Sequence, residues 1–152
     1  MNVTHVSSRP NVAKWGWGIL LVVSALLVLN GVALYFISAS PTTFEQDTSV
    51  SMSAVRQAFP TVADHVVREG QIISVLLASM GLMAVVVALE GYRVGNRWAW
   101  MAMWILVGML AFFAFGFLVS ADRPDIGGFY LLLVAVTLVG QLLARTGLSS
   151  ND

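Results

Sequence analysis

The apolar residues of this chain come in long uninterrupted blocks rather than at the alternating or three-to-four spacing of half-buried surface elements. Residues 17–38, 71–89 and 98–119 contain no Asp, Glu, Lys or Arg, and residues 128–144 repeat the pattern in shorter form. A helix needs about 20 residues to cross a hydrocarbon layer about 30 Å thick. In lipid the backbone must satisfy its own hydrogen bonds, so such blocks are helices unless they close into a barrel. A barrel would need segments of about ten residues alternating in polarity, and none is visible. The pattern therefore predicts an all-α, polytopic membrane protein: a four-transmembrane-helix bundle with a short helical extracytoplasmic cap, in one membrane domain. The expected spans are 15–38, 71–90, 98–119 and 128–145. They are joined by the cap at 39–70 and by turns at 91–97 and 120–127, with tails at 1–14 and 146–152.

The first block follows a basic start, Arg9 and Lys14, and ends in Ser38, Ala39 and Ser40, which invites a signal-peptide reading. Its apolar core exceeds the 7–15 residues of a signal h-region, and Pro41 is a poor cleavage context, so a retained anchor is expected. In the 39–70 segment, Ser40 to Thr43 reads as a turn. Ser51 is placed to cap a short helix with Met52, Val55 and Phe59 on one face, and Pro60 to end it. Thr61 followed by Asp64 resembles a capping box. A second helix is expected to start near Val62 and run through Glu90, about 43 Å at 1.5 Å per residue.

Composition reinforces the pattern: 58 % of residues are apolar and 11 % charged, against about 45–50 % and 25 % in soluble domains. A water-soluble monomer is excluded, because so few charges cannot cover a surface. Zero net charge removes any general electrostatic argument for nucleic acid, whose phosphates need a basic face. The absence of cysteine removes disulfides, thiolate catalysis and iron–sulfur ligation. Charge placement sets the expected orientation, since Lys and Arg stay cytoplasmic. Arg9, Lys14, Arg93, Arg97 and Arg145 fall on one side with Glu90 and Asp152. Arg56, Arg68 and Arg123 fall on the other with Glu45, Asp47, Asp64, Glu69, Asp122 and Asp125. Both termini are thus expected in the cytoplasm. Trp15, Trp17, Trp98, Trp100 and Trp104 lie on that side as well, as an interfacial aromatic belt.

Ionisable groups in lipid are functional candidates because burying a charge there is expensive, and this chain has almost none at depth. Glu90, Arg93 and Arg97, spaced by three and seven, read as an interfacial ion-pair cluster or as a site for a lipid phosphate or other anion. Asn30 and Gln141 read as interhelical hydrogen-bonding amides, or as polar contacts for a ligand or a second protomer. His65 and Glu69 share a helical face, but two ligands do not make a metal site, and no nucleophile elbow accompanies the histidine. No catalytic residue, metal site or cofactor is expected. Ser74, Ala78, Gly81, Ala84 and Ala88 form a stripe of small residues, the expected helix-packing seam, with Gly140 and Ala144 a shorter one. Met101, Met103, Met109, Phe112, Phe113, Phe115 and Phe117 make the third helix bulky, facing lipid or lining an apolar pocket.

The stretch GYRVGNRWAW at 91–100, with AFPTVADHVVREG at 58–70, resembles a pattern in small uncharacterised bacterial four-helix membrane proteins. In these a basic, glycine-containing turn runs into a Trp-Ala-Trp helix start. The resemblance covers the middle third of the chain and implies a prokaryotic inner membrane, with no activity to carry over. Two functions are expected in turn. The first is a non-enzymatic structural or accessory protein acting by helix–helix association, with membrane lipids, a second copy or a larger membrane complex as partners. The second is a binder or carrier of a lipid, quinone or isoprenoid, using Asn30, Arg93 and Arg97.

Overall fold

A computed structural model describes residues 11–38, 40, 49–92, 95–120 and 123–146. These form five α-helices and two π-helical extensions, and no strand occurs among the described residues. Helix α1 is Asn11–Ser38, α2 is Met52–Ala58 and α3 is Pro60–Val86, extended by the π-helix Val87–Tyr92. Helix α4 is Arg97–Phe115, extended by the π-helix Gly116–Ser120, and α5 is Pro124–Arg145. Four stretches are long and apolar enough to cross a membrane: Ala13–Ser38, Pro60–Tyr92, Arg97–Val119 and Pro124–Arg145. The chain is a multi-pass membrane protein with the predicted all-α architecture. Large apolar side chains such as Leu29, Phe36, Met83, Ile105 and Phe112 point outward on every long helix, the arrangement lipid favours and water does not.

The chain divides into two compact units, one of Ala25–Leu82 and one of Met1–Ser24 with Met83–Asp152. In the first, the carboxyl half of α1 lies against α3 at very close range. A Cβ built on Gly31 would fall 2.5 Å from the Ala78 backbone nitrogen, and one on Gly70 would fall 2.9 Å from the Ser38 hydroxyl oxygen. Small residues let backbones approach where no hydrophobic drive separates protein from lipid. In the second unit α4 and α5 pack along each other, with Phe113 and Phe117 stacked on Tyr130 at 5.5 and 5.7 Å between ring centroids. The last turn of α5 also meets α1 closely, since a Cβ on Gly16 would collide with the Ala144 backbone.

The start of α3 differs from expectation. Pro60 opens the helix instead of merely ending α2, because a first-turn residue needs no N–H and proline's φ is already helical. The Phe59 carbonyl accepts from the Val62 and Ala63 amides at 3.1 Å each. Thr61 therefore lies inside the first turn and is not the cap of a box with Asp64. Ser51 does precede α2, but its hydroxyl pairs with Ser53 rather than with a helix amide. Met52 is buried and Val55 half-buried, whereas Phe59, beyond the last residue of α2, is exposed. At 1.5 Å per residue, the 33 residues from Pro60 to Tyr92 extend about 50 Å, well beyond a hydrocarbon core of about 30 Å.

Gly31→Ala is expected to destabilise the protein by about 1–3 kcal/mol, because the added methyl meets backbone rather than a movable side chain. Gly108→Ala, where a Cβ meets nothing within 4 Å, is expected to leave stability unchanged or raise it by up to about 1 kcal/mol through helix propensity. Unfolding in mixed micelles with rising SDS measures both, and equal effects would refute the close α1–α3 contact.

Candidate functional site

The polar groups within the spans divide by how they are satisfied. Ser24, Ser38, Ser74 and Thr137 each donate the hydroxyl proton to the carbonyl four residues earlier, at 2.6–2.7 Å. That bond makes a hydroxyl tolerable in an apolar setting. A glutamine cannot satisfy itself in this way. Gln141, fully buried on α5, accepts a hydrogen bond at Oε1 from the Tyr92 hydroxyl and donates from Nε2 to the Trp100 carbonyl at 3.5 Å. The π-helical extension of α3 carries Tyr92 to this position, and its end is closed by a turn whose chemistry is visible in sequence. Gly95, with φ of 81°, donates to the Tyr92 carbonyl, and Asn96 donates to the Gly91 carbonyl, both at 3.0 Å. This is the bonding of a helix terminated by a left-handed glycine.

Tryptophans furnish the rest of the site. Trp17 donates its indole N–H to the Ala88 carbonyl at 2.6 Å, fixing the start of α1 to the π-helical segment. Trp100 stands edge-to-face with Trp104 at 5.7 Å, and the Arg145 guanidinium lies 5.9 Å from the Trp100 ring centroid. Trp15, Trp98 and Trp104 face outward as belt residues should. Trp17 and Trp100 instead serve the interior of their unit, a departure from the belt expectation. Residues two apart on a helix point about 200° from one another, so Trp15 with Trp17, and Trp98 with Trp100, cannot all look into lipid. That spacing was the available signal.

The remaining sequence candidates are scattered. Of the small-residue stripe, Ser74, Gly81, Ala84 and Ala88 are buried and Ala78 is half-buried. The first three positions, Ser74, Ala78 and Gly81, belong to the Ala25–Leu82 unit, and Ala84 and Ala88 to the other. Asn30 is half-buried on α1. Glu90 is exposed in the π-helical segment and Arg97 is exposed at the first position of α4, while Arg93 lies outside the described residues. His65 Nε2 lies 3.1 Å from the Glu69 carboxylate at an exposed position, Arg56 pairs with Asp64 at 3.6 Å, and Arg123 grips Asp125 through two nitrogens at 3.0 and 3.2 Å. No cluster of three or more His, Cys, Asp or Glu able to hold a metal occurs among the described residues. On α4, Met101, Phe112 and Phe115 are exposed while Met103 is buried. A groove of about 230 Å³ opens within the Ala25–Leu82 unit, lined by Gly31, Tyr35, Phe36, Ser74, Val75 and Ala78 among others; Asn30 is not part of it.

No protein-family model matches the chain, and neither a curated protein nor a solved structure is similar to it. Its function is therefore argued from its own residues.

Tyr92→Phe and Gln141→Leu are each expected to cost about 1 kcal/mol, the scale of interhelical hydrogen bonds in membranes. The double variant should cost less than the sum, since either change alone breaks the shared bond. Additive losses in SDS titration would show that the two residues do not act together.

Proposed function

We propose that this protein is a non-enzymatic structural or accessory component of a bacterial inner membrane, acting through helix–helix association with itself or a larger membrane complex. The observation that carries this reading is how the span-borne polar groups are used. Four hydroxyls return to their own helices and the buried glutamine is bonded at both ends, to Tyr92 and to the Trp100 carbonyl. Catalysis and ion transport call for ionisable or broken-helix elements at depth. The Arg–Asp ion pairs among the described residues are at an exposed position and at a helix end instead. The excess of Arg and Lys at the amino terminus, the 90–97 turn and Arg145 favours both termini in the cytoplasm. Chemical cross-linking in native membranes is expected to yield a discrete adduct containing this chain, either a self-adduct or one with a membrane neighbour. A persistent monomer with no adduct would overturn the reading.

A second reading, a carrier of a hydrophobic molecule such as a lipid, quinone or isoprenoid, is favoured by the groove between Gly31, Tyr35, Phe36 and Val75. Its lining is suited to a chain or ring without a polar group at that depth. Native mass spectrometry from mild detergent would then show a non-detergent mass at fixed stoichiometry, lost on Val75→Trp, which fills the groove. Retention of that mass in Val75→Trp would dismiss the groove as its seat.

A further inference from the structure

Trp100 holds the one buried side-chain polar atom without a hydrogen-bond partner among the described residues, its indole Nε1. A buried N–H left unpaired is costly, and more so in lipid, where no bulk water can substitute. Its neighbours bond elsewhere. Gln141 spends Oε1 on Tyr92 and Nε2 on the Trp100 carbonyl. The nearby charged group, Arg145, is itself a donor and carries no acceptor. Two donors without an acceptor among the described residues therefore lie on one ring, the indole N–H in its plane and the guanidinium over its face, 5.9 Å from the centroid.

We propose that Trp100 and Arg145 form a binding site for a phosphate group at this end of α4 and α5. A phosphate offers several oxygens in different directions and a negative charge, so a single group takes the indole N–H on one oxygen and the guanidinium on others. A neutral carbonyl offers one oxygen and no charge for Arg145. Both donors sit on supported backbone. The Trp100 carbonyl is tied to Gln141, and the turn before Arg145 is set by the close approach of Ala144 to Gly16. Arg145 is exposed and makes no ion pair among the described residues. Its side chain can therefore swing beside the indole to admit the phosphate without breaking a salt bridge. The site uses none of Glu90, Arg93 or Arg97 and stands whether or not the protein associates with a partner. The phosphate comes either from a phospholipid headgroup or from a free anion.

The test is native mass spectrometry of the full chain in mild detergent with phosphatidylglycerol or diacylglycerol of matched acyl chains. Phosphatidylglycerol should be retained and diacylglycerol released. Arg145→Gln and Trp100→Phe should each lower retention about tenfold, the scale of one charge-assisted hydrogen bond. Arg56→Gln should leave it unchanged. Because Arg145 is exposed, its variant reads the site even where the tryptophan variant folds poorly. Retention that survives excess inorganic phosphate supports the headgroup as source, and displacement by inorganic phosphate supports the free anion. Equal retention of both lipids, or wild-type retention in Arg145→Gln, would overturn the proposal.

Discussion

A hydrogen-bonding group inside a lipid bilayer has only the protein to bond to, and this constraint organises the molecule. The long helices answer it for the backbone. Ser24, Ser38, Ser74 and Thr137 answer it by bonding back along their own helices. Gln141 and the Trp17 indole are too long or too rigid for that solution and find partners on other segments. The Tyr92–Gln141–Trp100 chain and the Trp17–Ala88 bond are consequently where helices become committed to particular neighbours. Apolar packing in lipid is poorly selective, because a leucine gains as much from an acyl chain as from another leucine; polar bonds and close backbone contacts supply the selectivity.

Close contact does the same work without polarity. Gly31 against Ala78 and Gly16 against Ala144 bring backbones so near that no larger residue fits at the glycine. Phe113, Phe117 and Tyr130 fill the space between α4 and α5 with stacked rings. The bulky α4 shows two characters at once, Phe112 outward and Met103 fully inward.

The spans were legible because uncharged blocks of this length have one physical outcome in lipid. A glycine-containing turn was expected at 91–97, but the π-helix runs through Tyr92, and it is Gly95 that adopts the φ other residues resist. The start of α3 was harder to place: Pro60 can end one helix or begin another, and the choice turned on the Phe59 carbonyl finding two amides. Gln141 announced itself as an amide within an apolar block, but its partner did not, because Tyr92 reaches it only through a π-helical segment that a periodicity of 3.6 does not describe. The cluster proposed around Glu90 and Arg97 depended on Arg93, which lies outside the described residues. The two-residue spacing of Trp98 and Trp100 says that one of the pair turns inward but not which, because an interfacial tryptophan looks the same in sequence whether its N–H meets water or is turned inward.

The Trp17–Ala88 bond also has a history. Its two ends are separated by 71 residues, so at a synthesis rate of about 5–20 residues per second, α1 waits roughly four to fourteen seconds for its acceptor to be made. During that interval the indole must lodge where its ring is sheltered and its N–H is hydrated, which is the edge of the bilayer. The same residue thus serves first as a temporary mooring for a newborn helix and later as a permanent strut, and the order of those two roles is imposed by translation.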